Sequence, residues 1–240
     1  MNVTAARKER ERAAREELIV FHAHRLLVRD GFQDFNLDEL ARAVEYAKGT
    51  IYLHFKTKED LVLSVVTRTL RERADLLDRA AHFSGSTRER ARALSCACCQ
   101  FAATHQDYFT VEMMLKSRSF WNRVSEDRRK PHLVQTGRIV DILSGLAREA
   151  IAAGDLPART DPRELTLSLI AITIGSHCAV TQPDFQMMCG VKDPLVALLQ
   201  HHSRMLDGWG WKPPSQKIDY RALDRRIGKE IFPEANWLGR

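Results

Sequence analysis

Residues 35–61 read FNLDELARAVEYAKGTIYLHFKTKEDL, and the prediction of the fold starts from this segment. Asn36 and Glu39 have the spacing of a capping box, in which two side chains satisfy free backbone N–H groups at the start of a helix. A helix is therefore predicted from Leu37. Its apolar residues recur at helical spacing and give it one apolar face: Leu37, Leu40, Ala41 and Val44.

Glu45 and Tyr46 interrupt this pattern, and a second short helix is predicted over residues 47–55. A third helix is predicted from Lys58, because Thr57 and the carboxylate three residues later form another cap pattern. Two short helices joined by a tight turn have the spacing of a helix-turn-helix, whose second helix enters the major groove of DNA. By spacing alone, the pair is also compatible with two packed helices of an ordinary bundle.

The segments LDELARAV and AKGTIYLHFKTKEDL resemble the N-terminal signature of the TetR family of bacterial transcriptional regulators. The resemblance continues upstream into a first helix, from Ile19 to the pair Gly31-Phe32. It implies an all-α protein, in which an N-terminal three-helix helix-turn-helix domain is joined by a long helix to a C-terminal helical bundle that binds a ligand and dimerises. The implied partners are double-stranded operator DNA, a second copy of the chain and a small-molecule effector. No cofactor or enzymatic activity is expected.

The resemblance also implies a set of DNA contacts. Gly49 would let the backbone approach DNA closely, while Thr50 can donate to a phosphate or meet a base edge. Lys58, at a helix N-terminus, would add a phosphate contact that the helix dipole favours. Tyr52 either contacts DNA or only covers the turn between the helices. The implied DNA-binding residues are Asn36, Tyr46, Ala47, Lys48, Gly49, Thr50, Tyr52, His54 and Lys58.

The turn between the two helices departs from the family pattern, which has Gly-Val-Ser where this chain has Glu45-Tyr46-Ala47. Glycine adopts a left-handed conformation without the Cβ clash that costs other residues about 1–2 kcal/mol. Serine would cap the second helix, which is worth about 1 kcal/mol. Glu45 also brings a negative charge towards DNA phosphates. Either Tyr46 replaces the lost contacts through its ring and hydroxyl, or the affinity for DNA is reduced.

The segment HFSGST, residues 82–87, is rich in turn formers and is interpreted as a domain boundary. We predict a helix-turn-helix domain over 1–81, an effector-binding and dimerisation domain over 87–207, and a C-terminal extension over 208–240. The extension passes the family's usual end, and it either covers the bundle, wraps the partner subunit or frays. Periodicity places helices of the second domain near 87–105, 107–120, 131–153, 161–181 and 193–207.

One recognition helix covers too few base pairs for useful specificity, so two copies about 34–36 Å apart are expected to bind a pseudo-palindrome. In the family the last two bundle helices form the dimer interface, which gives the candidates Leu165, Leu169, Ile172, Ser176, Leu195, Leu198, Leu199 and His202. A mostly apolar effector pocket is expected in the same domain, and the methionine and aromatic residues over 108–121 favour a bulky hydrophobic ligand. Candidates for its lining are Phe101, His105, Met113, Met114, Phe120, Trp121, Gln135, Ile139, Thr173 and His177. Each candidate can instead belong to the ordinary core.

The composition is ordinary for a globular protein, with 44% hydrophobic and 28% charged residues. The net charge of +6 is compatible with a polyanionic partner. Residues 1–80, however, hold 15 Lys and Arg against 14 Asp and Glu, a net charge of only +1. Because no signal-peptide pattern opens the chain and the apolar part of the longest uncharged run, 165–180, is short for a membrane span, a cytoplasmic location without a membrane partner is expected.

Two alternatives remain open. The clustered Cys96, Cys98 and Cys99 suggest a thiol-based redox sensor. A zinc site is not expected, because the side chains of adjacent residues on a helix point about 100° apart. Catalysis is not expected, since the chain lacks a nucleophile elbow, a phosphate-binding glycine loop and an HExxH helix. Glu45 and Ala47 motivate the other alternative, a helical interaction protein with weakened operator binding. Salt-dependent binding to a defined operator separates these hypotheses.

Overall fold

The computed structural model describes residues 3–105, 107–180 and 183–235, and its regular structure over these ranges is helical, which confirms the predicted all-α class. In chain order the helices are α1 (Val3–Asp34), α2 (Leu37–Ala43), α3 (Lys48–His54), α4 (Lys58–Ala81), α5 (Thr87–Thr104), α6 (Tyr108–Met113), α7 (Arg118–Arg123), α8 (Glu126–Ala152), α9 (Pro162–Val180), α10 (Pro183–Cys189), α11 (Pro194–Gly208) and α12 (Tyr220–Glu230). They fall into two compact units, Met1–Arg71 with Asp107–Gln135, and Glu72–Gln106 with Thr136–Arg240. Among the described helices, none is long and apolar enough to cross a membrane.

The first unit is built around α1. Ile19, Ala23 and Leu27 follow one another at four-residue spacing, and all three are fully buried, so they form a stripe along one face of the helix. α1 changes direction at Gly31, whose φ of 73° lies in the left-handed region that a residue without a Cβ adopts at little cost. The straight part of α1 therefore ends at Asp30, just before this glycine.

α2 begins at Leu37 as predicted, but the partners of its cap differ. The Asn36 side chain accepts a hydrogen bond from the Asp38 N–H at 2.8 Å. Glu39 does not close the capping box, because its carboxylate accepts from the Arg29 guanidinium at 2.8 Å. A contact from α1 thus replaces one within α2.

α4 begins at Lys58, also as predicted, and Thr57 accepts from the Asp60 N–H at 2.9 Å. The Asp60 carboxylate is fully buried and accepts from the Ser125 N–H at 2.7 Å. Asp60 therefore joins the start of α4 to the segment that precedes α8.

α5 is the central helix of the second unit. Its residues 91–102 are all buried, and its start has a full capping box between Ser86 and Glu89. α11 packs against α5 and α9, and α12 packs against α5. A helix covered on all sides is the expected centre of a bundle.

Helix limits after residue 105 differ from the prediction. The helix expected over 107–120 is divided into α6, a 3-10 turn at Met114–Lys116 and α7. The division follows from Ser117, which is extended and whose side chain accepts from the Phe120 N–H at 3.2 Å, as an N-cap does. α8 begins at Glu126 and carries Pro131 in its second turn, although proline there forfeits a backbone hydrogen bond. α10 is not predicted from the sequence.

The predicted boundary at 82–87 lies in the turn between α4 and α5, whereas the two compact units divide within α4 and within α8. The proposed domain limits, 1–81 and 87–207, therefore stay a prediction. Over the described part of the extension, 209–235, four large side chains are buried: Trp211, Leu223, Ile227 and Phe232.

Candidate nucleic-acid interface and internal cavity

α3 turns one face to the core and the opposite face to solvent. Ile51 is 1% exposed, whereas Tyr52 is 46% exposed and Leu53 is 83% exposed. Lys48 and Gly49 are exposed as well. Lys48, Gly49, Tyr52 and Leu53 are called the outer face of α3 below. Leu53 is absent from the predicted contacts, although its position one turn after Gly49 would have indicated it.

The two predicted lysine contacts already have partners within the chain. The Lys48 Nζ lies 2.9 Å from an Asp38 carboxylate oxygen, and this hydrogen bond raises the pKa of Lys48. The Lys58 Nζ lies 3.4 Å from the Gln33 carbonyl oxygen and 4.6 Å from the centre of the Phe32 ring. Burial lowers the pKa of Lys58. Because a lysine ammonium group has three N–H donors, either lysine would have to share its charge between these partners and a phosphate.

His54 lies away from the outer face of α3, with its side chain only 8% exposed. Its Nδ1 lies 3.3 Å from a Glu16 carboxylate oxygen, and its backbone carbonyl accepts from Arg128 at 2.7 Å. Arg128 also pairs with Glu16 at 2.9 Å. These contacts give His54 a packing role between α1, α3 and α8 within the first unit, and its predicted contact with DNA stays a prediction.

The other predicted DNA contacts are spread around the turn. Asn36 and Ala47 are exposed, and Tyr46 and Thr50 are half-buried. The Tyr46 N–H donates to the Ala41 carbonyl at 3.0 Å, which holds the turn against α2. Asn36 is occupied by its capping role, so a phosphate would have to share that amide.

The turn itself has the conformation that the family supplies with glycine. Glu45 has a φ of 57°, in the left-handed region. Ala47 is the N-cap residue of α3 and has no side-chain oxygen to accept from the backbone. Both departures from the family sequence therefore fall on positions where the replaced residue would have stabilised the turn.

Replacing Glu45 by glycine is expected to raise the free energy of unfolding by about 1 kcal/mol, because the Cβ clash disappears. Ala47→Ser is expected to add about 1 kcal/mol through the restored cap. Urea unfolding of both variants measures this. Glu17→Gly, at an exposed position of α1, is the matched control and should lose about 1 kcal/mol. A loss of stability in Glu45→Gly would show that residue 45 is not left-handed in solution.

A small cavity lies inside the second unit, with a volume of about 20 Å³, room for about one water molecule. Its lining comes from α4, α5, α8, α9, α11 and the extension, and it consists of Arg73, Leu77, Ala91, Leu94, Ser95, Cys98, Ile139, Leu143, Leu146, Leu169, Ile170, Thr173, His202 and Trp211. Two predicted effector residues, Ile139 and Thr173, belong to this lining. The sequence prediction missed the contribution of α4, which was expected only to join the two domains.

The polar part of the cavity wall centres on Thr173. Its hydroxyl lies 2.9 Å from the His202 Nε2, and its carbonyl oxygen lies 2.6 Å from the His177 Nδ1. Burial lowers the pKa of His177 to about 4 and the pKa of His202 to about 3. Both rings are therefore neutral at pH 7 and act as hydrogen-bonding groups without charge.

The other predicted effector residues are divided between the units. Phe101 and His105 belong to the second unit, where their rings stack with centroids 4.7 Å apart and the His105 Nε2 lies 2.6 Å from a Glu72 carboxylate oxygen. His177 also belongs to the second unit and is not among the lining residues of the cavity. The remaining five belong to the first unit: Met113, Met114, Phe120, Trp121 and Gln135. The structure therefore does not bring the ten predicted residues together around the cavity of the second unit.

The predicted dimer contacts are divided by burial. Four of them lie in the core of this chain and offer no surface to a partner: Leu165, Leu198, Leu199 and His202. The other four are half-buried: Leu169, Ile172, Ser176 and Leu195. Among exposed apolar side chains on the same helices are Leu167 of α9, 66% exposed, and Val196 of α11, 45% exposed.

The clustered cysteines are unsuited to redox sensing. Cys96, Cys98 and Cys99 are buried in α5, and burial raises the pKa of all three thiols. The thiolate is the reactive form of cysteine, so this environment makes these thiols inert. In the part of the chain that the structure describes, no group of three or more His, Cys, Asp or Glu side chains is placed to hold a metal ion.

Comparisons with known proteins agree with this geometry. Residues 19–65 match the family model described as bacterial regulatory proteins, tetR family. The fatty acid metabolism regulator protein of Bacillus subtilis is 23% identical over 146 residues, which cover 60% of this chain and 72% of that protein. The HTH-type transcriptional regulator YhgD of the same organism is 32% identical over 92 residues, 38% of this chain and 48% of that protein.

Among solved structures, the transcriptional regulator FadR from Bacillus subtilis, in complex with stearoyl-CoA, has a TM-score of 0.62 at 19% identity. The match covers 79% of this chain and 96% of that chain. The segment that matches the family model contains α2, the turn, α3 and the first part of α4. Residues 19–65 are therefore a helix-turn-helix segment of the tetR family, and the comparisons together support a DNA-binding transcriptional regulator of that family.

Proposed function

We propose that the chain is a homodimeric repressor, released from a pseudo-palindromic operator by a small hydrophobic effector. The observation that carries the proposal is the outer face of α3. Ile51 anchors the helix in the core, while Gly49 and Tyr52 remain exposed on the other side. The second helix of a helix-turn-helix contacts base edges with such a face.

The dimer contact is proposed for the exposed side of α9 and α11. Leu167, Ala171 and Gly175 are exposed at four-residue spacing along α9, and Val196 is exposed on α11. Small residues on such a face allow two helices to approach closely. This assignment replaces Leu165, Leu198, Leu199 and His202, which are buried in the chain's own core. Two copies would place two recognition helices at the half-site spacing of about 34–36 Å.

The cavity of the second unit is proposed as the origin of the effector pocket. Half of its lining residues are leucine or isoleucine, which suits an apolar ligand. The relative solved with stearoyl-CoA supports an acyl chain as the ligand class. Because the cavity has room for only about one water molecule, an effector with an acyl chain must enlarge it.

A coupling to DNA follows from helix continuity. α4 begins in the helix-turn-helix unit at Lys58, and further along the same helix Arg73 and Leu77 line the cavity. An effector that enlarges the cavity would displace this part of α4. It must bind the DNA-incompetent conformation more tightly than the competent one, since equal affinity would shift nothing.

Tyr52→Ala is expected to weaken operator binding by about tenfold or more, equivalent to about 1.4 kcal/mol, because it removes an exposed contact of α3. The free energy of unfolding should change by less than about 0.5 kcal/mol, as for other surface positions. Fluorescence titration of DNA from around the protein's own gene, at two salt concentrations, measures the binding.

Phe21→Ala is the matched control, because Phe21 is an aromatic residue of the first unit that is 44% exposed and lies on α1. Its affinity for the operator should equal that of the unaltered chain. Equal affinity of the Tyr52→Ala variant would remove the outer face of α3 from the interface.

An interaction protein with weakened DNA binding is the second candidate function. Glu45 is exposed beside the outer face of α3, and Lys48 is paired with Asp38. Both features reduce the positive potential towards phosphates. Binding that disappears at moderate salt, without preference for any sequence, would favour this candidate over a repressor.

A further inference from the structure

The outer face of α3 has a centre, which helical geometry identifies. Successive residues of a helix are about 100° apart, so Gly49 and Leu53 lie one turn apart on the same line, nearly opposite the buried Ile51. Tyr52 lies to one side of this line and Thr50 to the other. The side chain that points most directly away from the core is therefore Leu53, which is 83% exposed.

Gly49 leaves a gap beside this leucine that the fold does not require. A Cβ at residue 49 would meet no atom within 4 Å, and residue 49 is not among the glycines with positive φ. Glycine within a helix is less stable than alanine. The absent side chain instead lets an external surface approach the backbone closely, next to an exposed leucine.

The chemistry of the major groove limits what a leucine can recognise there. The base edges present hydrogen-bond donors and acceptors, with one apolar group, the C5 methyl of thymine. Leucine cannot bond to donors or acceptors, and covering them without a partner is unfavourable. An exposed leucine at the centre of a recognition helix therefore favours contact with the thymine methyl group.

We propose that Leu53 determines operator specificity by packing against a thymine methyl group in each half-site, in the gap that Gly49 leaves. The inference rests on the proposed DNA-binding function and adds the base that this face selects. Leu53 also lines a groove on its other side, but this groove does not suit the binding of a DNA phosphate. Its charged lining combines Arg12, Lys56 and Arg128 with four carboxylates, so it does not attract an anion.

The test begins with duplexes selected from a random pool by the full chain. In the selected duplex, each thymine is replaced in turn by deoxyuridine, which removes only the methyl group. We expect one position in each half-site at which this replacement weakens binding about fourfold, and about fifteenfold when both half-sites are changed, as the loss of one buried methyl group predicts.

Leu53→Ala is expected to bind the thymine duplex as weakly as the unaltered chain binds the deoxyuridine duplex, and to lose sensitivity to that methyl group. Its thermal unfolding should be unchanged, since the side chain is exposed. Gly49→Ala should unfold at the same or a higher temperature and yet bind the selected duplex more weakly. Tyr52→Ala, by contrast, should retain the sensitivity to the methyl group while it weakens binding overall.

Failure of the two proposals can be distinguished. If the pool yields no enriched duplex, the proposed DNA-binding function fails. If a duplex is enriched and bound, but no thymine methyl group matters or Leu53→Ala keeps the sensitivity, the role of Leu53 is wrong and the function stands. If Gly49→Ala binds as tightly as the unaltered chain, close approach at residue 49 is excluded and the proposed gap fails.

Discussion

Deleting residues 209–240 is expected to abolish the cooperative unfolding of the second unit, with a loss of about 5 kcal/mol or more. The deletion removes Trp211, Leu223, Ile227 and Phe232, all of which are buried. It also uncovers α5, which is buried along residues 91–102. A loss of this size equals the whole stability of many domains, which is about 5–15 kcal/mol.

The deletion also removes hydrogen bonds that Arg88 of α5 donates to the extension, in addition to the apolar contacts. Arg88 is 1% exposed and donates to the Trp211 carbonyl at 3.3 Å, the Ser215 hydroxyl at 3.0 Å and the Tyr220 hydroxyl at 3.2 Å. Of its charged partners, Asp207 would remain, at 2.7 Å. The deletion therefore removes these hydrogen bonds together with the apolar contacts, and each lost hydrogen bond contributes about 1 kcal/mol to stability.

Circular dichroism and calorimetry of the truncated chain measure this effect. Ile227→Asp and Arg225→Asp form a matched pair on α12, since residue 227 is fully buried and residue 225 is exposed. The first should reproduce much of the loss and the second should lose less than about 0.5 kcal/mol. A truncated chain with an unchanged melting transition would mean that the extension is not part of this core.

Local signals explain why the helix-turn-helix could be predicted from the sequence. The starts of α2 and α4 depend on Asn36 and Thr57, which bond to N–H groups two and three residues later. The strained turn could be predicted because Glu45 stands where the family has glycine. The partners of Glu39 and Asp60 could not be predicted, because they come from distant parts of the chain.

The bundle shows the limit of sequence patterns more clearly. Leu165 and Leu167 are two residues apart on α9, and one is fully buried while the other is 66% exposed. α9 is apolar on most sides, so its sequence cannot separate buried from exposed positions. The cavity has the same difficulty, because its wall combines residues of five helices and Trp211. Arg88 and Arg92 of α5 are charged and nevertheless buried, because side chains of the extension bond to them.

Arg92→Leu is expected to lower the free energy of unfolding by about 3–5 kcal/mol, because it leaves the Asp224 carboxylate without its partner. The Arg92 guanidinium donates to both Asp224 oxygens, at 2.7 and 2.6 Å, and to the Leu199 carbonyl at 3.0 Å. It also lies 4.4 Å from the centre of the Tyr220 ring. Burial opposes the charge, yet the hydrogen bonds to Asp224 raise the pKa of Arg92.

A double-mutant cycle separates the ion pair from the other contacts of Arg92. Arg92→Leu with Asp224→Leu should recover most of the loss, because apolar residues of similar size often replace a buried ion pair at little or no cost. The Leu199 carbonyl remains satisfied by the Ser203 hydroxyl at 2.9 Å. Arg7→Leu, in a pair with Glu11 whose side chains are 76% and 48% exposed, is the control and should cost less than about 1 kcal/mol. If the double variant stays as unstable as Arg92→Leu, the contacts with Leu199 and Tyr220, and not the charge of Asp224, are what Arg92 contributes to the attachment of α12.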